Sequence, residues 1–331
     1  MLHKCISDNQ SAFVLGRSIL DNAMVAIEVV HYMKSKTSSK EGSVALKLDI
    51  SKAYDRIDWL YFKEVMEKMG FCPQWVNWIM MCFETVDYSV LVNQESVGPI
   101  ISGRGLRQGD PLFPHLFILC AEGLTALIHQ AEVRGEIHGE KICRNAPIIS
   151  HLLFVDDCFL FFRATEAEAR KIKSILTTYE EASGQAISLP KSEIFYSRNV
   201  LNNLQNVVTS ILGVQAVLGT GKYLGLPSMI GRNKKATFSF IKDRIWQRIN
   251  LWSSKCLSKA GREVMIKFVL QAIPSYVLSI FLLPSTLFEE IEKMINALWW
   301  GNGGNSNRVI HWLSWDKLTV HKNLAGWDSK I

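Results

Sequence analysis

Hydrophobic and polar positions follow two different periods along the chain, which predicts a mixture of helices and strands. Apolar side chains recur every three or four residues at 19–33, as in an amphipathic helix, whereas 44–50 is a short, nearly continuous apolar run typical of a buried strand. The same patterns, with the punctuation of glycine and proline, predict helices at 60–69, 73–84, 114–134 and 167–183 and strands or hairpins at 87–93, 97–103, 150–163 and 186–196.

The pattern changes character along the chain, which predicts more than one unit. Strands and helices alternate irregularly up to about residue 200, and from Phe238 onward the pattern is mostly helical. A polar, Ser/Lys-rich stretch at 34–42 is typical of a loop between subdomains. We therefore expect an α+β domain followed by a basic helical domain.

Composition narrows the class of protein. The chain has 331 residues, of which 48% are hydrophobic and 21% are charged, so it can bury a sizeable core and wholesale disorder is excluded. No uninterrupted apolar run reaches the roughly 18 residues that a membrane helix needs, so no membrane partner is expected.

Basic charge is concentrated in one part of the sequence. The formal net charge is +6, but the window 222–272 alone holds eleven Lys or Arg and two acids, a local balance of +9, so the remainder is slightly acidic. A basic region of this kind favours a polyanionic partner.

The seven cysteines indicate a compartment more than a chemistry. They are scattered, form no C-x-x-C pair and lie mostly in apolar surroundings, so structural thiols in a reducing environment are favoured over a metal or disulfide framework. The N-terminus lacks the apolar segment of a signal peptide. An intracellular protein is expected, nuclear or cytoplasmic without distinction.

Two segments place carboxylates among apolar neighbours, where an unpaired charge costs several kcal/mol. Asp49 lies within an apolar strand, and Asp156 and Asp157 lie between two apolar runs. Asp49 is equally consistent with a strand end or with a buried acid whose hydrogen bonds are satisfied, and the pair with a solvent-facing hairpin turn. If the two strands are neighbours, the three acids converge on hard divalent cations, which would support phosphoryl transfer and is compatible with a hairpin turn.

Two loops are weaker candidates when each is considered alone. Gly105-Leu106-Arg107-Gln108-Gly109-Asp110-Pro111-Leu112 precedes a long helix; its glycines permit close approach, but such loops are common. Lys191 follows a second glycine-containing turn, and a lone lysine is usually a solvated surface residue.

Taken in order, these segments resemble the polymerase region of reverse transcriptases of non-LTR, LINE-type retrotransposons, particularly the plant members. The resemblance covers about residues 5–325 and rests on pieces in this order: Gln10-Ser11-Ala12-Phe13-Val14 with Gly16-Arg17-Ser18-Ile19; Leu48-Asp49 with Lys52-Ala53-Tyr54-Asp55; Arg107-Gln108-Gly109-Asp110-Pro111-Leu112; Phe154-Val155-Asp156-Asp157; Ser183-Gly184-Gln185 with Lys191-Ser192; and Tyr223-Leu224-Gly225-Leu226-Pro227.

The resemblance implies a right-hand polymerase, with partial fingers at 1–40, a palm at 41–200, a basic helical thumb at 201–300 and a C-terminal remnant at 301–331. It implies that Asp49, Asp156 and Asp157 are catalytic and hold two Mg²⁺ ions, or Mn²⁺. The implied partners are an RNA template, a DNA primer and deoxynucleoside triphosphates.

It also implies roles for other residues. Tyr54 would lie under the incoming sugar and exclude a 2′-hydroxyl; Gln108 and Gly109, with Arg107, would pack near the template and the nascent base pair. Lys191 would act at the pyrophosphate leaving group. Arg17 would reach triphosphate or template. The thumb would hold the nucleic-acid backbone through Lys222, Lys234, Lys235, Arg244, Arg248, Lys255, Lys259 and Arg262.

Two departures from the family pattern leave a second hypothesis open. Phe113 stands where the family usually has a small residue, and Val155 where it usually has Ala, so both add bulk near the site. The chain also looks truncated at both ends. A catalytically silent, nucleic-acid-binding remnant is therefore the alternative to an active polymerase, and an unstable product without function is a third possibility.

Overall fold

A computed structural model describes residues 4–37, 41–216, 221–231, 233–253 and 257–300. The chain divides into two compact units between Met229 and Ile230, and each unit is considered by itself. The finer division at residues 40, 200 and 300 stays a prediction, and the proposed remnant at 301–331 lies outside the described residues.

The first unit is a mixed α+β domain, as expected from the sequence pattern. Its helices are α1 (Ile19–Ser35), α2 (Trp59–Lys68), α3 (Pro73–Glu84), α4 (Phe113–Val133), α5 (Glu166–Ser183) and α6 (Asn202–Leu212). Its strands are β1 (Ser43–Leu48), β2 (Ile50–Ser51), β3 (Asp87–Val92), β4 (Glu95–Ile101), β5 (His151–Phe154), β6 (Asp157–Arg163), β7 (Ala186–Ile187), β8 (Glu193–Tyr196), β9 (Gln215–Ala216), β10 (Lys222–Tyr223) and β11 (Leu226–Pro227).

A five-stranded sheet in the order β5-β6-β1-β8-β9 organises this unit. β1 is antiparallel to both β6 and β8, β5 is antiparallel to β6, and β8 and β9 are parallel. Since successive side chains of a strand point to opposite faces, the sheet separates two cores. Leu46 and Leu160 pack toward α4 and α5, while Ala45 and Phe161 pack toward α1.

Helix α4 is the core helix of the unit, although by length and composition it could also cross a membrane. The sequence has no uninterrupted apolar run of that length, but the mean hydropathy of Phe113–Val133 is high because its few polar residues lower it little. Eleven of its side chains are buried within the unit, which is the ordinary arrangement of an apolar core helix.

Local signals explain where helices begin and end. The Asp58 carboxylate accepts hydrogen bonds from two backbone N–H groups of the first turn of α2, and Pro73 occupies the first turn of α3. Helix α5 ends at Gly184, whose φ of 72° is the left-handed conformation that favours glycine. The positions of Pro73 and Gly184 were predicted from the sequence pattern and are confirmed, whereas the cap at Asp58 was not predicted.

The second unit contains helices joined by short loops, and its described residues include no strand. It contains α7 (Lys234–Ser253), α8 (Lys259–Met265), a π-helical turn (Ile266–Leu270), α9 (Ala272–Leu278) and α10 (Ser285–Trp300). Apolar side chains at three- and four-residue spacing form a buried stripe on α7, at Phe238, Ile241, Ile245 and Ile249, and a similar stripe lies on α10. The prediction of a mostly helical second half is confirmed.

Candidate active site

The register of the central strands brings the three acids to one end of the sheet. Leu48 of β1 pairs with Cys158 of β6. Continuing that antiparallel register by one residue places Asp49 opposite Asp157. β5 and β6 are joined by a two-residue turn, Val155-Asp156, because Phe154 pairs directly with Asp157. The expected hairpin turn is therefore present, and it lies beside the end of the strand that leads to Asp49.

Desolvation and like charge raise the pKa values of Asp156 and Asp157. Asp156 is exposed at the tip of the turn, as the solvent-facing alternative expects, yet the surrounding protein desolvates its carboxyl group and raises its pKa; a backbone hydrogen bond opposes the rise and the charge of Asp49 adds to it. Burial likewise raises the pKa of Asp157, followed by the charges of Asp156 and Asp49, while Lys47 lowers it. A nearby positive charge would oppose both shifts by favouring the ionised carboxylates.

The donors suit a hard cation, although the described part of the chain contains no ready-made cluster of three His, Cys, Asp or Glu side chains around one point. Carboxylate oxygens are the ligands that Mg²⁺ prefers. Bound cations would relieve the repulsion that raises the pKa values of Asp156 and Asp157. By donor type and charge the site fits a divalent metal.

Asp49 is held by the turn that carries Lys191. Its backbone carbonyl accepts a hydrogen bond from the Ser188 N–H at 2.7 Å, and its own N–H donates to the Ser192 hydroxyl oxygen at 3.2 Å. The Ser192 hydroxyl donates in turn to the Ser188 carbonyl at 2.9 Å. The backbone N–H of Lys191 donates to the Ser188 carbonyl at 3.0 Å, so this turn connects Lys191 to Asp49, while the Lys191 residue is exposed.

Tyr54 lies within the electrostatic field of the acids. Its ring stacks on Phe117 of α4, with centroids 4.4 Å apart and planes inclined by 20°. Burial, and then the negative charge of Asp156, raise the pKa of Tyr54 to about 12. The phenol is therefore neutral at physiological pH, and its ring is fixed by stacking on the core helix.

The loop of the third motif docks against the turn that follows β2. The Gly105 N–H donates to the Ile57 carbonyl at 2.8 Å, and the Leu106 N–H donates to the Tyr54 carbonyl at 2.7 Å. Gly105 has a φ of +85°, and a side-chain carbon there would lie 2.6 Å from the Asp55 carbonyl oxygen. This position needs glycine for both its conformation and its close approach.

The outer part of this loop borders an open cleft. Arg107, Gln108 and Gly109 are exposed, and the Arg107 guanidinium lies 5.9 Å from the centre of the Tyr88 ring. Arg107 and Gln108 line a cleft of about 370 Å³ whose wall also includes Trp59. The loop therefore presents polar groups outward from a backbone that is anchored beside Tyr54.

The two departures from the family pattern have different structural consequences. Phe113 is buried at the start of α4 and stacks on Phe83, with ring centroids 5.2 Å apart, so its bulk is absorbed in the core. Val155 has a φ of 58°, a conformation that a β-branched side chain rarely adopts and that costs about 1–3 kcal/mol. The strain lies at the residue immediately before Asp156.

Arg17 lies in a segment beside the acid-bearing hairpin, and its guanidinium is occupied by local partners. It donates to the backbone carbonyls of Ile6, Ser7 and Gln10 and pairs with the Asp8 carboxylate at 3.2 Å. These contacts give Arg17 a structural function in its own segment, and a contact with triphosphate or template stays a prediction.

The candidate nucleic-acid ligands are divided between the two units. Lys222 lies on β10 of the first unit, where its carbonyl accepts from the Lys47 ammonium at 2.7 Å. In the second unit α7 carries Lys234, Lys235, Arg244 and Arg248, and α8 carries Lys259 and Arg262. Lys255 lies outside the described residues.

Several of these basic groups already have neighbours. Lys235 and Lys242 both pair with Glu290, at 2.5 and 2.8 Å. The Arg244 guanidinium lies 5.8 Å from the Phe240 ring centre, and Arg262 donates to the Trp299 carbonyl at 3.1 Å. The positive charge of α7 is therefore partly offset by an acid of α10.

Sequence reasoning missed the supporting residues of the site. Lys47 lowers the pKa of Asp157, and the only sequence signal was a single cation in an apolar strand. Ser188 and Ser192 bond the backbone of Asp49 from more than 130 residues away, which no local pattern indicates. Gln10, although part of a recognised motif, had no assigned contact.

Comparison with known proteins gives a consistent result. The profile of the family described as "Reverse transcriptase (RNA-dependent DNA polymerase)" matches residues 1–228. An uncharacterized 149 kDa protein of transposon TX1 from Xenopus laevis is 26% identical over 324 residues, covering 95% of this chain and 23% of the relative. The retrovirus-related Pol polyprotein from type-1 retrotransposable element R2 of Nasonia vitripennis is 24% identical over 179 residues, covering 54% of this chain and 16% of the relative.

Among solved structures, telomerase from Candida tropicalis has a TM-score of 0.47 at 13% identity, covering 98% of this chain and 52% of the telomerase chain. This chain thus spans less than a quarter of the length of either transposon relative.

Proposed function

Because the chain belongs to the reverse transcriptase family, we propose that it is an RNA-directed DNA polymerase that adds deoxynucleotides to a primer 3′-hydroxyl. The observation that carries the proposal is the strand register, which brings Asp49, Asp156 and Asp157 to one end of the sheet, where desolvation and then like charge raise the pKa values of the latter two. A LINE-type, plant origin is the finer proposal, supported by the order of the motifs.

In architectural terms the first unit would supply the palm and part of the fingers, and the second the thumb. The α+β core of the first unit and the basic α7 of the second support this division. The proposed thumb would hold a primer–template duplex through its phosphates, without reading the base sequence.

In the mechanism, Asp49 and Asp156 would hold two divalent ions, with Asp157 beside them. Such ions lower the pKa of an attacking hydroxyl and neutralise charge on the departing pyrophosphate. The protein's own contribution is to fix the positions of the acids, since the β5–β6 turn and the Ser188–Ser192 hydrogen bonds determine where Asp156 and Asp49 lie.

Other residues would handle the substrates. Tyr54, fixed on Phe117, would exclude the 2′-hydroxyl of a ribonucleotide by its bulk. Gln108 and Gly109 would pack against the nascent base pair, with Arg107 toward the template. Lys191, on the turn bonded to Asp49, would neutralise or protonate the leaving group.

Primer extension on an RNA template with Mg²⁺ or Mn²⁺ tests the proposal. Replacing Asp156 and Asp157 by Asn keeps side-chain size and removes both charges, so extension should fall to background. A charge-matched control is the double replacement of Glu64 and Glu67 by Gln, since both are exposed on α2 and neither contributes to the pKa shift of Asp156 or Asp157. Extension that survives the double Asp→Asn change would sink the metal assignment.

The strain at Val155 favours a second candidate, a silent remnant that binds nucleic acid without extending it. Both hypotheses predict salt-sensitive binding to a primer–template duplex through the basic helix. Lys234 and Arg248 are exposed on α7, and replacing both by Ala should reduce the slope of log K against log salt by about 2. Binding without any extension would select the remnant, and salt-independent binding would refute the basic-helix argument for both.

A further inference from the structure

The strained turn before Asp156 has a support outside the hairpin. Val155 adopts a φ of 58°, in a two-residue connection where glycine would be free of strain. A turn in this state keeps its conformation only when surrounding groups hold it. The backbone N–H of Val155 does not take part in the β5–β6 ladder. The group that accepts a hydrogen bond from this N–H therefore determines how firmly the turn is fixed.

Gln10 is that partner. Its side-chain carbonyl accepts a hydrogen bond from the Val155 N–H at 3.3 Å and a second from the Ala12 N–H at 2.9 Å. The residue is fully buried, at 0% exposure, so water does not compete for these bonds. The bond from Ala12 thus fixes the Gln10 amide oxygen, and that oxygen fixes the turn through Val155.

The segment around Gln10 is anchored along β5. The Ser11 N–H donates to the Leu153 carbonyl at 3.0 Å, and the Leu153 N–H donates to the Asn9 carbonyl at 2.8 Å. The Asn9 side chain donates to the His151 carbonyl at 2.8 Å. Residues 9–11 therefore run beside the edge strand, and the side chain of Gln10 reaches past its end to the turn.

Gln10 has a buried side-chain amide although the nitrogen of that amide makes no hydrogen bond among the described residues. An apolar side chain of similar length would avoid that cost but would leave the Val155 N–H without its acceptor. The cost of the buried amide is consistent with a requirement for the acceptor at this position.

From these contacts we infer that Gln10 is a positioning residue for the acidic turn: its amide oxygen fixes the backbone just before Asp156 and thereby sets where the two carboxylates present their oxygens. The effect of Gln10 on catalysis rests on the proposed function. Its effect on the conformation of the turn rests on the hydrogen bonds alone. Gln10 would contact neither substrate nor metal.

The primary test is amide hydrogen exchange in peptides covering 154–158, measured on the full chain without substrate. Gln10→Met, which keeps the length and removes the acceptor, should accelerate exchange there about three- to tenfold, the effect of losing one net hydrogen bond. Asn9→Ala is the matched control, because it frees the same segment at His151, away from the turn. If Gln10→Met does not fold, Gln10→Asn carries the same comparison.

A second arm measures Mn²⁺ binding to the free protein by the magnetic resonance signal of unbound ion, together with primer extension. Gln10→Met should weaken Mn²⁺ binding and lower kcat by a similar three- to tenfold factor, on the order expected for one hydrogen bond, with KM nearly unchanged. Asn9→Ala should change neither.

Val155→Gly provides the rescue. Glycine adopts positive φ without strain, so a turn with glycine should depend less on its acceptor. In the Val155→Gly background the effect of Gln10→Met on exchange and on Mn²⁺ binding should shrink to less than half. Additive effects would indicate ordinary core packing and would overturn the inference.

The outcomes separate the two ideas. Unchanged exchange at 154–158 in Gln10→Met would overturn the positioning role whether or not the chain is active. A wild-type chain that neither binds Mn²⁺ nor extends a primer would contradict the proposed polymerase, while the exchange result would still decide the role of Gln10.

Discussion

Acidification should destabilise the first unit through one buried histidine. His151 begins β5 and is 2% exposed, with its Nδ1 within 2.9 Å of the Ser150 hydroxyl and its Nε2 without a partner among the described residues. Burial, and to a smaller extent the charge of His129, lower the pKa of His151 from 6.5 to about 4. The neutral form is therefore the one that fits the fold.

The direction and the magnitude of this change in stability follow from how many protons the folded and unfolded chains bind. Between the folded pKa and the unfolded pKa the unfolded chain binds more protons, so stability is highest above about pH 6.5 and falls as the pH drops toward 4. The full shift corresponds to about 3 kcal/mol, and lowering the pH from about 7.5 to about 5 should remove about 2 kcal/mol of it. Asp156 and Asp157 act in the opposite direction, since their pKa values are raised.

A comparison with a variant isolates this contribution. His151→Leu removes the titrating group, so the acids contribute equally to both proteins and cancel in the difference. Urea unfolding at the two pH values, followed by far-UV circular dichroism, should show the wild type losing about 2 kcal/mol more than the variant. His31→Leu, at an exposed position of α1, is the control and should lose as much as the wild type. Equal losses in wild type and His151→Leu would refute the reasoning.

Two further predictions concern the loop and the ring beside the acids. Gly105→Ala should destabilise the first unit by more than about 1 kcal/mol in thermal or urea unfolding, because its positive φ combines with a 2.6 Å approach of the new side-chain carbon to the Asp55 carbonyl oxygen. Gly135→Ala is the control and should cost less, since Gly135 has positive φ but open space around it. Equal losses of stability in the two variants would contradict the contact argument. Tyr54→Ala should raise ribonucleotide incorporation relative to deoxynucleotide in primer extension; an unchanged ratio would remove Tyr54 from sugar selection.

Local patterns predicted most helices of the first unit because their signals lie within a few residues. Pro73 and Gly184 mark ends that the structure reproduces. The apolar run at 44–50 was expected to be one strand, yet it divides at Asp49 into β1 and β2. The division occurs because the backbone of Asp49 bonds to Ser188 and Ser192 instead of continuing the ladder. Partners this distant leave no local trace.

Contacts with residues distant in the sequence also explain why a second predicted strand was too long. The stretch 186–196 was expected to return as a single strand, but it forms β7 and β8 with a turn between them. That turn is the one that bears Lys191 and holds Asp49. Its polar residues were visible in the sequence, but their partner was not.

The sequence predicted how much positive charge the second half of the chain carries, but not how the structure distributes that charge. The basic window 222–272 appeared as one feature, whereas the structure divides it between two units at Met229. Ion pairs of Lys235 and Lys242 with Glu290 join α7 to a helix about fifty residues later in the chain. A net charge counted along the sequence cannot anticipate pairing across helices.

The central claim is that three acids at the end of one sheet hold the metals of a polymerase. Primer extension on an RNA template with Mg²⁺ or Mn²⁺ tests it most directly, comparing the wild type with the variant in which Asp156 and Asp157 are both Asn and with the variant in which Glu64 and Glu67 are both Gln. The wild type and the Glu64/Glu67 control should both extend the primer, and the Asp156/Asp157 variant should not. Equal extension by all three proteins would contradict it.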